Sequence, residues 1–123
     1  MTRRGMLSVT SALYDPLGLV APVTLLPKLM LQDMCRVKLD WDDEVGESQK
    51  ARWSSWLEDL PLLNEVRIPR CFKPTGLADV FHVELHHFCD ASEYAYGAAS
   101  YIKIYDGEGT VRSSLVMGKA RVC

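Results

Sequence analysis

The chain has 123 residues, 48% of them apolar and 24% charged, a composition that excludes wholesale disorder and leaves room for one modest domain or two small pieces. Its 14 basic and 16 acidic residues give a net charge of −2, so no overall polycation points to a polyanionic partner. The four cysteines, Cys35, Cys71, Cys89 and Cys123, form no C-x-x-C pair, which argues against a zinc ribbon, a thioredoxin-type centre or a compact secreted disulfide framework. Reduced thiols, and with them an intracellular protein of the cytoplasm or nucleus, are the expectation.

The elements are predicted to be helical first and β later. Leu7 to Leu13 suits a short helical turn, stopped by Asp15-Pro16 and Leu17-Gly18. A longer helix fits Pro22 to Lys38, with Val23, Leu26, Met30, Met34 and Val37 at helical spacing; at Pro27 it either kinks or begins. The run Leu17 to Leu31 is interrupted by Gly18, Pro22, Pro27 and Lys28, so no membrane span or leader is expected there and the protein is read as soluble, with no membrane partner. Asp42 or Asp43 is placed to cap a third helix from Glu44 to Leu60, whose stripe Trp53, Trp56, Leu57 and Leu60 reads as packing. Pro61 ends it, and Glu65 to Phe72 reads as a short extended piece. Lys28, Arg36 and Lys38, and Arg67, Arg70 and Lys73, form two local basic patches that read as solvated faces.

After Gly76 the period becomes two. Val80 to Phe88 reads as an apolar strand running into Asp90, Tyr96 to Tyr105 as a second, and Asp106-Gly107-Glu108-Gly109 as the turn into a third from Val111 to Met117. The alternation puts His86 on the other face from His87 and Cys89, so these three do not converge on one metal ion. Glu93 reads as a turn residue, Asp106 and Glu108 as solvated tip acids. The fold class is therefore α+β: a helical segment at 1–75, then a three-stranded antiparallel meander at 76–123 whose core is incomplete, with the boundary at Pro74 to Asp79. Asp90 stands out, because a carboxylate closing a buried strand asks for a partner or a ligand.

Read together, Leu7 to Pro22 (LSVTSALYDPLGLVAP), Leu39-Asp40-Trp41-Asp42, Trp53-Ser54-Ser55-Trp56-Leu57, Ile68-Pro69-Arg70, Phe88-Cys89-Asp90-Ala91-Ser92-Glu93 and Ala95-Tyr96-Gly97-Ala98 resemble, in order and spacing, the Pol polyprotein of BEL/Pao-type retrotransposons. The resemblance implies the thumb and connection of a reverse transcriptase over 1–75 and the first strands of a truncated ribonuclease H-like domain over 76–123. It also implies that Asp90 is both catalytic and a metal ligand, one of the carboxylates that hold two Mg²⁺ or Mn²⁺ ions for phosphodiester hydrolysis. The implied partners are an RNA/DNA hybrid, or another nucleic acid, and the remainder of Pol; the further carboxylates are expected past Cys123, which leaves the isolated chain without a complete active site or a stably bound metal. The region is also known as the Pao retrotransposon peptidase, but Asp90-Ala91-Ser92 lacks the Asp-Thr/Ser-Gly loop of an aspartic protease. Cys89 stands where the family more often has serine, and Gly118 where alanine is expected, which is read as loosening the end of the third strand. Two alternatives stay open: a non-enzymatic nucleic-acid- or protein-binding module derived from a retroelement, and a decayed reading frame.

Overall fold

A computed structural model describes residues 1–73, 75–76 and 79–123. Among these, the order is α1 (Arg3–Ala12), α2 (Ala21–Arg36), α3 (Glu47–Asp59), a 3₁₀ helix (Leu60–Glu65), β1 (Val80–Ala91), β2 (Ala95–Asp106) and β3 (Val111–Val122). This is the expected α+β arrangement, with the three strands in the order β1-β2-β3. Two compact units result: Met1–Pro16 and Val20–Arg67 with Val122, and Leu17–Leu19 and Ile68–Arg121 with Cys123. Of the expected boundary stretch, Pro74, Leu77 and Ala78 lie outside the described residues.

The helical unit packs around Met6, Met30, Met34, Val45, Trp53 and Trp56. Helix α1 begins four residues before the expected Leu7, because Thr2 caps it by accepting a hydrogen bond from the Gly5 N–H. Its first turn is also tied to distant residues. The Arg3 guanidinium lies 3.9 Å from the Trp41 ring centroid, and Arg4 makes a two-pronged ion pair with Asp42 at 2.7 and 2.9 Å. Asp42 is thus engaged by α1 and does not cap α3, which starts after Gly46, while Asp43 accepts from the Asp40 N–H.

Helix α2 runs unbroken through Pro27, neither starting nor ending there. Proline has no N–H, so the Val23 carbonyl loses its partner one turn back. The Trp56 indole N–H fills the gap, donating to that oxygen at 3.0 Å. Helix α2 stops two residues before the expected Lys38, because Lys38 takes a left-handed conformation with φ of 57°. Helix α3 ends at Asp59, just ahead of Pro61 as expected, and Pro61 sits in the first turn of the 3₁₀ helix, so the extended piece expected from Glu65 starts at Val66 as irregular chain.

In the sheet unit all three strands exceed their expected lengths, each reaching 12 residues. Strand β1 pairs with β2 from Val80↔Asp106 to Ala91↔Tyr96 and, among the described residues, has no second neighbour in the sheet. It is not the buried strand its apolar content predicts: Phe81, Leu85 and Phe88 stay 82%, 56% and 58% exposed. Asp106 is corrected in the opposite sense. It is buried, and its carboxylate accepts from the Glu108 and Thr110 N–H groups, folding the β2–β3 turn around itself.

Glycine at 118 does not loosen β3, which continues to Val122. Gly18 and Gly118 meet backbone to backbone, with the Gly118 N–H donating to the Leu17 carbonyl at 2.7 Å. A Cβ on Gly18, whose φ is +68°, would stand 1.7 Å from the Gly118 oxygen, and one on Gly118 would stand 2.8 Å from the Gly18 oxygen. Only two residues without side chains allow this approach.

Candidate functional site

Asp90 is the penultimate residue of β1 and faces Gly97 of β2. The turn that follows is built by Ser92. Its N–H and its hydroxyl both donate to the Ala95 carbonyl, at 2.8 and 3.1 Å, and the hydroxyl accepts from the Tyr94 and Ala95 N–H groups. The Cys123 N–H reaches the Tyr94 carbonyl from the end of the chain, at 3.1 Å. Asp90 is therefore presented by a strand end held on both sides.

The carboxylate is exposed, and its Oδ1 accepts from the N–H of Ala91 at 2.9 Å. Asp90 makes no ion pair among the described residues. Because Gly97 has no side chain, the sheet surface beside Asp90 stays open as a shallow groove of about 630 Å³. Besides Asp90 it is lined by Cys89, Ala91, Tyr96, Gly97 and Ala98, and on its far side by Lys119 and Arg121 of β3. Lys119 lies directly beyond Gly97: the nearest atom to a Cβ built on Gly97 is the Lys119 carbonyl oxygen, at 3.4 Å. Asp90, Gly97 and Lys119 thus form one row across three strands.

Further along the same face of β1, Glu84 collects four neighbours. His86 and His82 reach its carboxylate at 2.8 and 3.3 Å, the Tyr105 hydroxyl donates to it at 3.0 Å, and Lys103 lies over the Tyr105 ring at 4.9 Å. The His86 hydrogen bond, then that of Tyr105, holds the Glu84 carboxyl below the usual carboxylate range. His87 turns to the opposite face and bonds Ser100 at 2.8 Å, so His86 and His87 diverge as the alternation predicts.

Asp90 offers the hard oxygens that Mg²⁺ or Mn²⁺ prefers, but the other acids of this unit do not join it. Glu93 sits beyond the end of β1, and Asp106 lies nine residues along β2 from Gly97, about 30 Å away at the rise of a strand. Among the described residues no group of three His, Cys, Asp or Glu side chains stands where one ion could be held. The cations at 119 and 121 oppose a metal ion instead of adding a ligand. The donor set of this chain by itself does not fit a divalent-ion site.

Sequence reasoning found Asp90 and missed its surroundings. Lys119 and Arg121 were not singled out, and the signal that would have done so is their i, i+2 spacing on a strand two places from Asp90. The Glu84 cluster had a similar signal, since His82, Glu84 and His86 alternate along one strand face.

The family model for the Pao retrotransposon-like RNaseH-like domain matches residues 2–123, so helices and sheet both fall within it. Comparison with curated proteins and with solved structures returned no match. A match across nearly the whole length, over a chain that is α+β with its strands in a meander, is decisive for origin: the chain belongs to the Pao retrotransposon-like RNaseH-like domain family and is a Pao-type retrotransposon Pol region.

Proposed function

We propose that this chain joins a reverse-transcriptase thumb/connection-like segment, residues 1–75, to the opening strands of a ribonuclease H-like domain, residues 76–123, in a Pol polyprotein that copies RNA into DNA and hydrolyses the RNA of RNA/DNA hybrids. In this reading Asp90 is a catalytic carboxylate and a ligand for Mg²⁺ or Mn²⁺. The observation that carries it is the placement of Asp90: an exposed carboxylate without an ion-pair partner among the described residues, at the held end of a strand, facing the open surface left by Gly97. Asp90 supplies part of a metal site, and other parts of Pol supply the remaining carboxylates. The partners are then the hybrid and the rest of Pol. The four cysteines form no C-x-x-C pair or compact disulfide framework in the sequence, which favours a reducing compartment, the cytoplasm or nucleus. No helix among the described residues is long and apolar enough to cross a membrane.

The test uses a labelled RNA/DNA hybrid with Mg²⁺ or Mn²⁺. The 123-residue chain is expected not to cleave it, whereas Pol carrying this segment cleaves and loses cleavage on Asp90→Asn. Undiminished cleavage by the Asp90→Asn polyprotein would overturn the assignment. A second reading, a binding module without catalysis, is favoured by the basic wall opposite a lone carboxylate; it predicts a polyprotein that binds the hybrid and never cuts it.

A further inference from the structure

We infer that Lys119 and Arg121 are phosphate-positioning residues, which seat the sugar-phosphate backbone of a nucleic-acid strand along β3 so that it lies across the groove from Asp90. The inference rests on the nucleic-acid reading of the Asp90 site and adds the residues that would hold its substrate.

These two cations differ from several other basic side chains in what they do not do. Arg4, Arg36, Lys50 and Arg52 each have a carboxylate within 4 Å. Lys119 and Arg121 have no such partner among the described residues, although Asp90 lies in the same groove. The sheet itself keeps them apart: two strand spacings, about 10 Å, separate β1 from β3. With no side chain at Gly97 between them, Asp90 and Lys119 face each other along one row of the sheet.

A phosphodiester backbone matches that arrangement. It is anionic, which suits the basic wall, and it needs close approach to the sheet, which the missing side chain at Gly97 permits. At i, i+2 on one strand, Lys119 and Arg121 lie on the same face about 7 Å apart. Two separate phosphates of one strand can be contacted at that spacing. Arginine grips two non-bridging oxygens with its planar fork, while lysine acts as a mobile point charge. Neither residue touches the reacting atoms; their role is to fix where the strand lies relative to Asp90.

The test is fluorescence anisotropy of a labelled RNA/DNA hybrid titrated with the 123-residue chain over a series of salt concentrations. Replacing both residues, Lys119→Gln with Arg121→Gln, is expected to weaken binding at least tenfold at low salt and to reduce the log–log salt slope by about 2, roughly one for each phosphate that is no longer neutralised. Arg112→Gln removes a charge from β3 outside the groove and is expected to leave the slope unchanged. Exchanging the pair, Lys119→Arg with Arg121→Lys, keeps both charges and is expected to retain the slope. Wild-type affinity and slope in the double glutamine variant would overturn the inference and leave the Asp90 reading standing. Loss of binding in the charge-preserving exchange would overturn it too, since charge would then not be what acts. Absence of salt-dependent binding by the wild-type chain would overturn the nucleic-acid reading and this inference together.

Discussion

The helical unit and the sheet unit treat their apolar side chains in opposite ways. The first closes a core of two tryptophans, three methionines and a valine, and ties its loops to it through Arg3, Arg4 and Trp41. The second buries Ile104 and Asp106 among its described residues and leaves large apolar groups of β1 in solvent on both faces. Hydrophobic burial therefore accounts for the fold of the helical unit. In the sheet unit the backbone ladder, the Ser92 and Asp106 turns and the Gly18–Gly118 contact carry more of the structure. The difference teaches where function has room: the candidate site lies on the half whose surface is not committed to its own core.

The contrast is broken most forcefully in the helical core. Trp56→Ala should destabilise the chain by about 3–5 kcal/mol in urea denaturation, through lost burial and an orphaned Val23 carbonyl. Trp56→Phe keeps much of the volume and should still destabilise by roughly 1–3 kcal/mol, because that carbonyl loses its donor. Adding Pro27→Ala restores a backbone N–H to it, so a double-mutant cycle should show coupling of about 1 kcal/mol. Next comes Gly18→Ala, where a left-handed φ and a carbonyl at 1.7 Å predict a loss on the order of 1–3 kcal/mol, seen as faster exchange of the Gly118 amide.

A smaller effect concerns pH. The Glu84 carboxyl is depressed in the folded chain, so its contribution to stability is present above the ordinary glutamate range and is lost as pH falls through the folded value. Carboxyl NMR should place its midpoint below that of an ordinary glutamate, and His86→Gln should move it upward. An unmoved midpoint would mean that the His86 bond does not form in solution. The least effect is expected from Asp90→Asn: at an exposed position whose carboxylate, among the described residues, is bonded to its neighbour's N–H, thermal denaturation should change by no more than about 0.5 kcal/mol. A large loss there would make Asp90 structural and weaken its functional assignment.

What was legible in the sequence was local. The tryptophan stripe of α3, the apolar spacing of α2, the alternation of β1 and the turn at Asp106-Gly107 all depend on neighbours a few residues apart, and all are present in the fold. What was not legible depends on distant partners. The first turn of α1 is anchored because Trp41 and Asp42 receive its arginines, and α2 passes Pro27 because an indole 29 positions away supplies the missing donor. The site divides in the same way. Asp90 was found from its motif, whereas its position opposite Lys119 follows from the register of three strands, which no single segment encodes.

Hydrogen exchange resolved to single amides tests the central contrast most directly. The account predicts slow exchange in α2 and α3 around Met30, Met34, Trp53 and Trp56, and in β1 an alternation of slower amides paired with β2 and fast amides on its other edge. Uniform protection of β1 at the level of the helical core would contradict it, because the strand presenting Asp90 would then be covered in solution.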